Sequence, residues 1–181
     1  MIGDPTAVDA GVLILRLLLG LTLTMHGLDK FFGKGGIRGR AAWFESVGMR
    51  PGLLNAGAAA SLEVLAGLGL AAGVLTPLPA AGFVALMVVA IWTVQGRKGF
   101  FVTTNGWEYN LVLAVAPVAI ATIGAGRYSA DGLLLAHTPL APLLSGWPAL
   151  AIAAGLGVAG GLGQLALCYR PAKKAPSGSD G

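Results

Sequence analysis

Five apolar runs separated by short polar stretches organise the chain. A bilayer core is about 30 Å thick and a helix rises 1.5 Å per residue, so a crossing takes roughly 20 mostly apolar residues. The runs at about residues 9–32, 54–75, 77–95, 108–126 and 147–169 meet or approach that length. The fourth is the shortest and holds Pro117, which predicts a kink. "LTPLP" between runs two and three is so tight that those helices must be antiparallel neighbours. Between runs one and two, "GRAAWFESVGMRP" groups Trp43, Phe44 and Val47 on one helical face. This predicts a short helix over about 38–50 lying on the membrane surface. The pattern predicts an all-α integral membrane protein: an antiparallel four-helix transmembrane bundle with a fifth, C-terminal transmembrane helix.

Composition supports that class: 55% of residues are hydrophobic and 11% charged, where soluble domains carry about 25% charged residues. The net charge of +4 is distributed as topology requires. Lys30, Lys34, Arg38, Arg40 and Arg50 follow run one, Arg97 and Lys98 follow run three, and Arg170, Lys173 and Lys174 follow run five. These three regions share one side, whereas the other holds Arg127. The positive-inside rule then predicts a multi-pass protein of the plasma (bacterial inner) membrane, N-terminus outside and C-terminus cytoplasmic. Trp43, Trp107, Trp147, Tyr109, Tyr128 and Tyr169 fall near run ends, as an aromatic belt does. No basic stripe interleaves with aromatics, which argues against nucleic acid as a partner. Asp4, Asp9 and Arg16 do not fit a signal peptide. The single cysteine, Cys168, can form neither an internal disulfide nor a Cys-x-x-Cys pair, so dithiol chemistry would need a partner protein.

Charged groups inside a membrane are costly and need partners or a task. Arg16, Gly20, Leu23, Gly27 and Lys30 share one face of the first run, with a cation at each end and glycines between. Glu63 lies near the middle of the second run on a face of Ala56, Ala59, Ala60 and Gly67, where Arg16 is its expected partner. His26 adjoins the lower end of this seam, and Glu108 opens the fourth run on the same side. Each has a plain alternative. Arg16 and Glu63 can form a structural ion pair, His26 an interfacial hydrogen bond, and Lys30 can snorkel to lipid headgroups. Glu108 in a first helical turn complements the helix dipole. His26 and His137 fall on opposite sides of the membrane, and no cluster has metal-ligand spacing, so neither haem nor metal is expected. Gly69/Gly73 and Gly157/Gly161 have the spacing of close helix contacts.

"LRLLLGLTLTMHGLDKFFG" resembles the opening of the DoxX family of small membrane proteins, with an Arg in the first span and a His-Gly-x-x-Lys ending. "SLEVLAGLGLAAGVLTPL" with Glu63, "GFFVTTNGWEYNLVLA" with Glu108, and "GAGRYSAD" with Arg127, Tyr128 and Asp131 follow in the family's order. The resemblance implies a four-helix membrane domain over 1–131. Residues 132–169 would then be an outer loop and the fifth helix, and 170–181 a basic, disordered cytoplasmic tail. It also implies a link to redox biology, because relatives serve as quinone-linked oxidoreductase subunits or as membrane parts of thiol-handling complexes.

Three functions stay open. The chain could be a membrane subunit of a redox-associated complex, binding a quinone or lipid along the seam of Arg16, His26, Lys30, Glu63 and Glu108. Electrons would then come from a protein partner. It could instead be an assembly or anchor subunit that recruits partners without chemistry, or a small-molecule or lipid carrier. An autonomous enzyme is disfavoured, since no nucleophile–base pair or nucleotide-binding motif occurs.

Overall fold

The computed structural model describes residues 4–171. The expected disordered tail lies, from residue 172 onward, outside the described residues. Among the described residues, apart from short helical turns in the loops, six helices form the molecule: α1 (Pro5–Phe32), α2 (Gly36–Ser46), α3 (Gly52–Ala72), α4 (Pro77–Gln95), α5 (Glu108–Ile123) and α6 (Gly146–Cys168). Among the described residues the one strand-like feature is an isolated bridge between Met49 and Tyr169. The chain is an all-α, multi-pass membrane protein. α1, α3, α4 and α6 are long and apolar enough to cross a bilayer. α5 is shorter: its 16 residues rise about 24 Å, less than a full hydrocarbon core. The expected fourth crossing is therefore an apolar helix of sub-membrane length, and it continues through the buried Pro117.

Each helix starts and stops for local reasons. Asp4 caps α1 by accepting from the Thr6 N–H at 2.9 Å, and Pro5 fills the first helical position, where no N–H is needed. Gly73 ends α3 in the left-handed conformation (φ +65°), which a side chain would disfavour. It therefore acts as a helix stop; the close helix contact expected of a Gly69/Gly73 pair is left to Gly69, which faces Pro79.

α1 packs along α3 over most of its length. A Cβ on Gly20 would meet the Gly67 carbonyl at 2.5 Å, and one on Gly27 would meet the Ala60 carbonyl at 2.7 Å, so glycine sets the approach of the two backbones. Gly157 and Gly161 of α6 do the same against Val84 and Val88 of α4. Val12, Leu19, Leu23, Ala66, Leu70, Phe83, Met87, Leu113 and Ile120 join α1, α3, α4 and α5 in one core. A second cluster places Phe44 of α2 and Met49 against Ala56, Ala59, Val89 and Leu165. The turn after α2 is tied to the end of α6 by Arg50 N–H to the Cys168 carbonyl (2.8 Å) and Arg170 N–H to the Gly48 carbonyl (2.6 Å). Large apolar side chains such as Ile14, Leu18, Met25, Leu65 and Leu167 point outward, as lipid-facing surfaces require.

Candidate ligand site at one end of the first helix

The register of α1 against α3 decides which charges meet. Gly27 lies against Ala60 and Val64, and Gly20 against Gly67 and Ala71. By the same antiparallel register Lys30 is level with Ala59 and Arg16 with Gly73. Glu63 is then about 6 Å along α3 from the level of Lys30 but about 15 Å from that of Arg16. Lys30 takes the partnership. Its Nζ donates to Glu63 Oε1 at 2.7 Å and Oε2 at 2.6 Å. The two side chains are 19% and 10% exposed. The expected Arg16–Glu63 pair does not form, and Lys30 turns inward to the bundle instead of snorkelling.

Arg16 belongs to a different site at the far end of α1. It is fully buried, and its Nη2 donates to the Tyr128 carbonyl at 2.7 Å. Its other guanidinium nitrogens, Nε and Nη1, have no hydrogen-bond partner among the described residues. Asp131, also buried, accepts from Leu75 N–H (2.6 Å), Thr76 N–H (2.9 Å) and Thr76 Oγ1 (2.6 Å), while its own N–H donates to the Gly73 carbonyl (2.8 Å). These bonds hold Leu75 at a φ of +46°, a conformation that a branched side chain seldom adopts unaided. Arg127 N–H donates to Asp9 Oδ1 at 3.1 Å, and its guanidinium stacks 5.6 Å from the Tyr128 ring centre. Arg127, Tyr128 and Asp131 thus join the loop after α5 to the start of α1 and to the α3–α4 turn.

The remaining predicted residues part company with the seam. His26 is exposed on the flank of α1, in a shallow depression with Thr22, Met25 and Asp29. Glu108 opens α5 and accepts from the Val102 N–H at 2.9 Å, closing its own loop. The glycine face between Arg16 and Lys30, which could admit either another helix or a flat ligand, is filled by α3.

Free space lies instead on the other side of the Lys30–Glu63 pair. A cavity of about 180 Å³ opens between α1, α2, α3, α4 and α6. Its walls are mostly apolar, including Trp43, Phe44, Ala59, Leu86, Met87, Val89, Ala90 and Val94. Lys30 and Glu63 are its charged groups, and Thr93, Gln95 and Gln164 add neutral polar atoms. Lysine has three N–H donors. Glu63 engages two oxygens with them, which leaves one donor for a guest. Trp43 and Phe44 were legible only as a membrane-facing stripe on α2. In the fold Phe44 is buried, and both line the cavity. Gln95 and Gln164 carried no motif; an uncharged amide within or ending an apolar run was the signal available.

The family model described as DoxX matches residues 11–96. Over that segment the chain is similar to the DoxX family. The matched segment runs from within α1 to the end of α4 and includes Lys30, Trp43, Phe44, Glu63 and Gln95 of the cavity. Gln164 and the Arg127–Asp131 loop lie beyond the matched DoxX segment. An uncharacterized protein of Haemophilus influenzae is 29% identical over 131 residues, covering 68% of this chain and 82% of its own length. No solved structure matches the chain.

Proposed function

We propose that the chain is a membrane subunit of a redox-associated complex and binds a quinone-type ligand in the Lys30–Glu63 cavity. The observation that carries this reading is an apolar-walled cavity with a lysine–carboxylate pair set into its lining. Apolar walls with a few placed polar groups are the general form of a small-molecule site. The spare Lys30 donor can hold a ring oxygen, and a flat ring can lie against Trp43 and Phe44. Reduction of a quinone to the quinol takes two electrons and two protons. In this reading a redox centre of a partner protein supplies the electrons, and Glu63 relays protons. The Lys30 end faces the cytoplasm in the orientation that the basic residues favour.

Quenching of tryptophan fluorescence on titration with decylubiquinone tests the site. Saturable quenching that is lost in Trp43→Phe, with Lys30→Met weakening affinity about tenfold, is the expected result. Quenching indifferent to both substitutions would reject it.

A second reading, an assembly subunit without chemistry, rests on the loop after α4. There Phe101 stands 65% exposed beside Phe100, which packs edge-on against Trp107. Purification in mild detergent tests it. Co-purifying proteins that are lost in Phe101→Ser would support this reading, and a chain that runs alone would remove it.

A further inference from the structure

The cavity has a second polar wall, opposite in character to the ion pair. Gln95 is the last residue of α4, whose final five residues, Ile91–Gln95, wind as a π-helix. Such turns redirect side chains and recur at functional sites. Gln95 lines the cavity, and its Oε1 is buried without a hydrogen-bond partner among the described residues. Buried amide oxygens are nearly always paired, so an unpaired one on a side chain of the cavity wall calls for a partner.

The neighbouring polar groups are already engaged. Thr93 Oγ1 donates back to the Val89 carbonyl at 2.8 Å. Gln164 Nε2 donates to Asn55 Oδ1 at 3.0 Å, and Asn55 Nδ2 to the Pro51 carbonyl at 2.8 Å. Among the described polar side chains lining the cavity, Gln95 is the one with a buried atom that has no hydrogen-bond partner, and Lys30 keeps a third N–H.

We infer that Gln95 is the specificity-determining residue of the pocket, binding the second oxygen of a flat ring whose first oxygen is held by Lys30. The inference rests on the quinone-site reading above and extends it to selectivity. A primary amide both donates and accepts. Gln95 can therefore donate from Nε2 to a quinone carbonyl or accept at Oε1 from a quinol hydroxyl. An amphiphile with a single oxygen would use Lys30 alone.

Equilibrium binding to the full chain in nanodiscs separates these roles, with decylubiquinone as the two-oxygen probe and dodecylphenol as the one-oxygen probe. Gln95→Leu is expected to weaken decylubiquinone about tenfold and dodecylphenol less than twofold. Lys30→Met should weaken both. Gln95→Glu, which keeps an acceptor but loses the amide donor, should bind the reduced probe better than the oxidised one. Equal loss of both probes in Gln95→Leu would make the residue a mere wall and overturn the inference. So would an unchanged Gln95→Leu beside a weakened Lys30→Met, a result that leaves the site itself standing. Failure of the unaltered protein to bind either probe would overturn site and inference together.

Discussion

α1 carries a buried or half-buried cation at each end of one face, and the two ends have opposite fates. At one end Arg16 is enclosed: Tyr128 accepts from it, Gly73 abuts it, and Asp131 stitches the surrounding loop and turn. At the other end Lys30 meets a carboxylate beside an open cavity. A buried charge is therefore not by itself a sign of a ligand. What distinguishes the two is the space next to the charge. The Arg16 end joins three segments of chain, and the Lys30 end lines free volume.

The sharpest way to break this comparison is to remove both cations and measure stability and binding separately. Arg16→Met should cause the largest loss, about 2–4 kcal/mol, because it leaves the Tyr128 carbonyl and Asp131 without a counter-charge. A lowered thermal midpoint in detergent, with quinone affinity of the folded fraction unchanged, is the expected outcome. Gly27→Leu should cost about 1–3 kcal/mol by forcing α1 from α3, since even a Cβ there would meet the Ala60 carbonyl at 2.7 Å. Unlike the Arg16 change, it should also disturb binding, because Gly27 lies one turn from Lys30. Asp131→Asn should cost about 1–2 kcal/mol: the amide keeps one acceptor oxygen where the carboxylate used two against Leu75 and Thr76. Limited proteolysis in the 124–132 loop would report it.

Glu63→Gln should shift the thermal midpoint least among these buried changes, by about 1 kcal/mol or less, since the amide oxygen still accepts from Lys30. Its effect should fall on proton-coupled turnover in the reconstituted complex. A melting loss as large as that of Arg16→Met would mean that both ends are structural locks, and the comparison would fail.

The smallest effect concerns Asp4, whose bonds to Thr6 hold its carboxyl below the usual range. A depressed folded value adds stability above the unfolded pKa, and that stability is lost as pH falls through the folded value. Amide exchange at Thr6 should therefore quicken in acid, and Asp4→Ala should abolish that pH dependence.

The helices were legible because apolar runs of near-membrane length admit little else. α4 spans Pro77–Gln95, as its run predicts, and α5 starts at Glu108. The charge pairing was not legible, because it depends on the stagger between two helices and not on position within either run. α3 begins well beyond the end of α1, at a height shared with α2, and this offset brings Lys30 to Glu63 and leaves Arg16 far from it. Such a stagger is set by where glycines seat one backbone on another, which residue spacing within a single run does not encode. The motif "GAGRYSAD" could be matched as a pattern. Its task of receiving Arg16 and holding the α3–α4 turn came into view only with the folded chain.

One wall of the cavity comes from outside the matched domain. Gln164 reaches in from α6, and the end of α6 is bonded to the turn after α2. A four-helix chain built on the same plan would leave that side open and would need a neighbour to complete it. In this protein α6 closes that side from within the same chain.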